Sequence, residues 1–167
     1  RDVASRVHAK IGKELFVLPE AKISETTQLI PGTDGEKMSK SKNNVIDIFL
    51  PEKALRKQIM GIATDSTPLE APKDTESCNV FALYRLLAQP NQIEAMAQNY
   101  AQGGYGYGHA KQALFELIVD KFGLQREAFT QLVYDTKQLD ELLAIGAAKA
   151  QKVASAVMGR VRAHLGY

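Results

Sequence analysis

The sequence holds a single cysteine, Cys78, in 167 residues. That excludes an internal disulfide framework and suits a reducing compartment. With no second cysteine and no histidine near it, Cys78 offers no zinc site. Long apolar runs are also missing, and none approaches the ~20 residues that a membrane span requires. No signal-peptide pattern opens the chain. No stretch repeats, and no glycine-rich strand-to-helix turn of the dinucleotide-binding type occurs. Charge of one sign is scarce too. A net charge of +2 is too small to mark the whole chain as a nucleic-acid binder, so any such contact has to come from local patches. His8 and His164 read as surface or packing residues rather than ligands. What remains is the composition of an ordinary globular protein, 45% hydrophobic and 24% charged, enough for one core or for a main domain with a small appendage.

The pattern along the chain divides in two. Over residues 1–13, Val3, Val7 and Ile11 recur at helical spacing and predict a helix with one apolar stripe. Residues 15–18 form a short apolar run ending at Pro19, which predicts a buried strand. That strand has no evident partner in the chain, although its backbone groups need one. Residues 19–44 are irregular and rich in Thr, Gly, Pro and Lys. After Phe49 the pattern is helical to the end. Pro51 suits a first helical turn, and Leu55, Ile59, Ile62 and Ala63 form a stripe. A linker over 64–73 carries Pro68 and Pro72. Asp74 or Thr75 is expected to cap a helix bearing Val80, Phe81, Tyr84 and Leu87. Asn91 and Glu94 make an approximate capping box for a helix with Ile93, Met96 and Tyr100. The Gly-Tyr repeat at 103–108 breaks that helix. Ala110, Ala113, Leu114, Leu117 and Ile118 begin another, with Gly123 as its stop. Phe129, Leu132 and Val133 mark one more, and 137–165 one long helix with Gly146 as the place for a kink. The expected fold is mainly α, five or six helices after a small α/β remnant.

The most informative segment is Gly35-Glu36-Lys37-Met38-Ser39-Lys40-Ser41-Lys42-Asn43-Asn44. Three lysines crowd a loop whose glycines, Gly32 and Gly35, mark a mobile or sharply turned backbone. Lysine is a compact charge on a flexible stem and can follow a moving phosphate, whereas arginine would suit a fixed bidentate clamp. Charge alone leaves two readings open: a loop that contacts a polyphosphate, or a solvated basic turn.

The string Lys37-Met38-Ser39-Lys40-Ser41 matches the lysine-loop signature of class I aminoacyl-tRNA synthetases at every position. Ile30-Pro31-Gly32-Thr33-Asp34-Gly35 before it and Asn43-Asn44-Val45-Ile46 after it resemble the tryptophanyl and tyrosyl branch. Cys78-Asn79-Val80-Phe81-Ala82-Leu83-Tyr84 and Gly104-Tyr105-Gly106-Tyr107-Gly108-His109-Ala110-Lys111 resemble the carboxyl-terminal half of bacterial tryptophanyl-tRNA synthetases. So does the opening Arg1-Asp2-Val3-Ala4, and the resemblance covers essentially the whole chain.

The resemblance implies residues 1–49 as the tail of a Rossmann-like catalytic domain that includes the lysine loop. It implies 50–167 as a helical carboxyl-terminal domain of the anticodon-binding, tRNA-contacting type. The implied reaction joins L-tryptophan to tRNA(Trp) through a tryptophanyl-adenylate, with ATP and Mg²⁺, in a cytoplasmic homodimer. Lys40 is the implied main catalytic residue and Lys37 its assistant. Lys37, Met38, Ser39, Lys40 and Ser41 contact ATP, and no metal ligand is implied. Lys42 lies outside the signature and is expected to be solvated. The superfamily's His-Ile-Gly-His type motif is missing, because none of His8, His109 and His164 lies in such a context. The chain also lacks an initiator Met and starts inside an apparent helix. The expectation is therefore a carboxyl-terminal fragment of a longer enzyme, inactive alone, with the amino-acid pocket and half of the ATP site upstream. Two other readings stay in view: the tyrosyl branch, which shares the signature, and a non-catalytic RNA-binding helical module. The Gly104–Lys111 stretch favours the tryptophan branch.

Three weaker features complete the reading. Gly108 and His109 stand at a helix start, where free N–H groups favour an anion. Tyr105 and Tyr107 suit stacking on an RNA base, but a packed turn is the preferred explanation. Lys149, Lys152 and Arg160 fall within ~80° of arc on the last helix, as a phosphate-tracking row or, more commonly, a solvated face. The loop over 32–44 is expected to be weakly ordered without a phosphate, since its lysines repel and it holds little apolar surface.

Overall fold

A computed structural model describes residues 1–24 and 29–166. They contain seven α-helices: α1 (Asp2–Ile11), α2 (Glu52–Met60), α3 (Asn79–Leu87), α4 (Pro90–Gln102), α5 (Tyr107–Lys121), α6 (Gly123–Tyr134) and α7 (Thr136–Leu165). The fold is mainly α, and the one β-type pairing among the described residues is an isolated antiparallel bridge between Pro31 and Lys37. The chain forms two compact units, Arg1–Ile23 with Thr130–Tyr167, and Ser24–Phe129.

In the first unit the strand expected over residues 15–18 does not form. Leu15 is 7% exposed while Val17 is 93% exposed, so the run does not bury as a whole. Its backbone is served by a side chain instead. The Phe16 N–H donates to His8 Nε2 at 3.0 Å, and the two rings stack. Helix α1 ends where Gly12 takes a left-handed conformation (φ 69°), which glycine adopts without strain. Helix α7 runs unbroken through Gly146 for 30 residues and buries none of them. Its start is fixed by Asp135, whose carboxylate accepts the Gln138 N–H at 3.0 Å. Lys149, Lys152 and Arg160, weighed as a phosphate-tracking row against the commoner solvated face, are all exposed on it.

The second unit holds the core. Ala110, Leu114 and Ile118 of α5 are buried with Leu55 and Ile59 of α2 and Val80, Phe81, Leu83 and Tyr84 of α3, and Met96 and Tyr100 of α4 join the same cluster. Basic side chains from α5 then close the carboxyl ends of its neighbours. Lys111 Nζ donates to the Met60 carbonyl at 3.1 Å, and Lys121 Nζ to the Leu87 carbonyl at 2.6 Å. A cation on a last-turn carbonyl satisfies an orphan acceptor and opposes the negative end of the helix dipole. Burial holds the Lys111 ammonium below its usual pKa. Arg126 of α6 donates instead to the Ile48 and Leu50 carbonyls in the loop that leads into α2.

Several helix boundaries differ from the sequence expectation. Asp74 does not cap α3. Its carboxylate is used locally, by the N–H groups of Glu76 and Ser77 and by the Ser77 hydroxyl, and α3 starts at Asn79. The capping box of α4 is Gln89 with Gln92, not Asn91 with Glu94. Pro90 decides this, because its fixed φ and missing N–H suit the first helical position and put the cap at Gln89, two residues before Asn91. Gly123 opens α6 rather than stopping α5, which ends at Lys121.

The Gly-Tyr segment is a packed turn. Tyr105 and Tyr107 lie half-buried against the fully buried Tyr100 ring, at 6.0 and 6.2 Å between centroids. His109 Nδ1 accepts the Gly106 N–H at 3.2 Å, so His109 closes the start of its own helix. Beside it, Lys73 is 6% exposed, with Nζ donating to the carbonyls of Pro68, Leu69 and Ala71 at 3.1–3.3 Å. Those three acceptors use all three ammonium protons.

Candidate functional site

The lysine loop is built around Asn44. This residue is 2% exposed, and its short amide reaches both limbs of the loop. Asn44 Oδ1 accepts the Ser39 N–H at 2.7 Å, while Nδ2 donates to Asp34 Oδ1 at 2.7 Å and to the Lys37 carbonyl at 3.2 Å. The backbone adds further ties. Gly32 N–H donates to the Glu36 carbonyl, Met38 N–H to Ile30, and Thr33 N–H to the Asn44 carbonyl, at 2.7–2.9 Å. These bonds bear on a segment expected to be weakly ordered, since that expectation weighed lysine repulsion and gave Asn44, which bonds the two limbs, no part. Gly32 is required here, since a Cβ would overlap the Asn44 side chain.

Charge within the loop is arranged asymmetrically. Asp34 lies below the usual carboxylate range, held there first by the Asn44 amide and then by the Glu36 N–H, with Lys42 adding to the effect. Lys42 pairs with Glu36 at 3.6 Å across an exposed surface, a contact worth little. It is solvent-facing, as expected. Lys37 and Lys40 are exposed, and among the described residues neither ammonium has a partner. Lys40 opens a 3₁₀ turn, Lys40–Lys42, closed by Asn43 in a left-handed conformation. Ser39 and Ser41 face each other with hydroxyl oxygens 2.9 Å apart.

Met38 has a separate task. It is half-buried and lines an apolar cavity of about 250 Å³ with Ile30, Ile46, Ile48, Leu83 and Leu114. The large apolar residue of the signature therefore turns inward while both flanking lysines stay in water. The structure brings together all five signature residues and adds Asn44 and Asp34, which the sequence reading quoted but gave no task. An asparagine closing a basic loop was the available signal. The arrangement presents two free ammonium groups and two hydroxyls from a bonded frame, which is chemistry suited to a polyphosphate.

A lysine loop on a helical support is the arrangement of a class I aminoacyl-tRNA synthetase. The family described as tRNA synthetases class I (W and Y) matches residues 1–123, and the chain belongs to that family. It is 44% identical over 166 residues to the tryptophan–tRNA ligase of Campylobacter jejuni (strain RM1221), covering 99% of this chain and 52% of that protein. It is 38% identical over 168 residues to the tryptophan–tRNA ligase of Pseudomonas aeruginosa, covering 37% of it. Among solved structures, the tryptophanyl-tRNA synthetase of Campylobacter jejuni complexed with ADP and tryptophan superposes with a TM-score of 0.83 at 44% identity, over 100% of this chain and 52% of that one. The chain therefore spans about half the length of its Campylobacter relatives. No helix among the described residues is long and apolar enough to cross a membrane.

Proposed function

We propose that the chain is the carboxyl-terminal part of a tryptophan–tRNA ligase. The full enzyme uses ATP to activate L-tryptophan and attaches it to tRNA(Trp), as a homodimer in the cytoplasm. Residues 1–49 serve its catalytic part and 50–167 its tRNA-contacting helical part, a functional division distinct from the two compact units. The observation that carries the reading is a pair of ammonium groups, Lys37 and Lys40, without a partner among the described residues and displayed by a signature loop that Asn44 ties together. The tyrosyl branch shares that signature, but the similar proteins named above are tryptophan enzymes.

In this reading the tryptophan carboxylate attacks the α-phosphate of ATP and pyrophosphate leaves. Charge gathers on the β- and γ-phosphates, and Lys40, with Lys37 assisting, meets it as the transition state forms. Ser39, Ser41 and the Met38 backbone complete the ATP contact. Mg²⁺ supplies further neutralisation of the phosphates when bound.

The test is tryptophan-dependent exchange of pyrophosphate into ATP. The full-length enzyme should catalyse it. The 167-residue chain alone should not, because it holds no His-Ile-Gly-His type motif. Exchange that depends on tyrosine, or on no amino acid, overturns the assignment.

A further inference from the structure

We infer that Asn79 is a positioning residue for the lysine loop, pinning its base to the helical core; the inference rests on the function proposed above. Asn79 is the first residue of α3 and lies 47 positions from its partner in sequence. Its Nδ2 donates to the Gly32 carbonyl at 2.9 Å. That carbonyl also accepts the Gly35 N–H at 3.1 Å, and the Gly32 N–H holds Glu36 at 2.7 Å. Gly32 is thus the point where the turn before the signature is tied down, and Asn79 holds it from outside the loop. The neighbouring peptide is held from a second side, by the Ala63 N–H on the Thr33 carbonyl at 2.7 Å.

Two features give this contact direction. The residues that follow Asn79, Val80 and Phe81, are buried in the core, so the amide projects from an element that cannot drift. A functional loop is held to a productive geometry by such supports behind it. The Asn79 amide also carries a cost. Its Oδ1 is buried and has no hydrogen-bond partner among the described residues. Turning the amide over would face Oδ1 to the Gly32 carbonyl, two acceptors together, so the orientation is set by that carbonyl. An apolar side chain of similar size would avoid the orphaned acceptor. The advantage of an amide here is the bond it gives to the loop.

The test uses Asn79→Asp, which keeps shape and loses the donor, and Asn79→Ala. Asn91→Asp, the same change at an exposed position of α4, is the control. In the 167-residue chain, amides from Gly32 to Asn44 should exchange about tenfold faster in both Asn79 variants, the scale of one lost buried hydrogen bond. Amides of 114–118 should change less than about twofold and the control should match the parent. In the full-length enzyme, both variants should slow adenylate formation or raise the KM for ATP by about tenfold while tryptophan affinity stays unchanged. Unchanged loop exchange overturns the inference. So does acceleration spread equally over loop and core, which marks a residue that only stabilises the fold. A parent enzyme without tryptophan-dependent exchange would defeat the functional reading, and the exchange measurement on the 167-residue chain would still decide what Asn79 does to the loop.

Discussion

Lys40 and Asn44 divide the labour of the loop at the scale of single residues. Lys40 is exposed and has no side-chain partner among the described residues, so removing it should leave the fold intact. Lys40→Ala in the full-length enzyme is expected to lower the rate of adenylate formation by roughly 10²-fold or more, the scale of one lost transition-state donor. Tryptophan affinity should hardly change, and a single-turnover measurement separates the two. Asn44→Ala should do the opposite in the isolated chain. It strands the Ser39 N–H and the Lys37 carbonyl, both part-buried, at about 1–3 kcal/mol for such groups left unpaired. Loop amides should then exchange faster and the urea midpoint should fall. The two lysines were legible in the sequence because charge and spacing are written there. The choice between two adjacent asparagines was not. Asn43 closes the 3₁₀ turn in a left-handed conformation (φ 54°) and Asn44 turns inward, and only the folded backbone separates those tasks.

The lesson at the scale of elements concerns where helices begin. The apolar stripes located α2, α3, α4 and α5, since burial against a common core imposes their period. Caps were harder to read, because Asp74, Asn91 and Gln89 all carry side chains able to bond a free N–H; Pro90 places the α4 cap at Gln89, while Asp74 is taken up by its own turn. Residues 15–18 failed for a related reason: four apolar letters satisfy a strand pattern, yet a strand needs a partner and none of the described residues supplies one. The tightest joint between elements is Gly103. Its backbone (φ 75°, ψ 174°) is open only to glycine, and an added Cβ would run into the Glu70 carbonyl. Gly103→Ala should cost about 2 kcal/mol or more, read as a lowered thermal midpoint. Gly108→Ala, where a Cβ meets nothing within 4 Å, should cost nothing.

The second unit's stability, at the scale of the whole molecule, is tied to un-ionised tyrosine. Tyr100 is fully buried with its hydroxyl 3.4 Å from Cys78 Sγ, and burial pushes its phenol far up. Tyr107 is pushed up to about 12, by burial first and by its bond to Asp65 second. A raised phenol pKa favours the neutral form in the folded state. Its contribution is therefore full below the ordinary value near 10.0 and is lost as pH rises toward 12. Alkaline titration should show these tyrosines ionising together with loss of helical signal between those limits. Ionisation near 10 with the helices intact would contradict the packing described. The first unit offers a contrast, since Leu15 is its one buried residue among those described. Its amides should exchange faster than those of α3 and α5.

Lys73 carries that contrast into chemistry. Three main-chain oxygens surround its ammonium as a crown ether surrounds a small cation, and the Tyr107 ring lies 5.4 Å away. Trypsin and amine-acylating reagents need a lysine they can grasp, and here the protein's own backbone already occupies it. The lysines at 37, 40 and 42 stand open to both. A single residue type is thus sorted by the fold into reagent-accessible handles and an internal clasp.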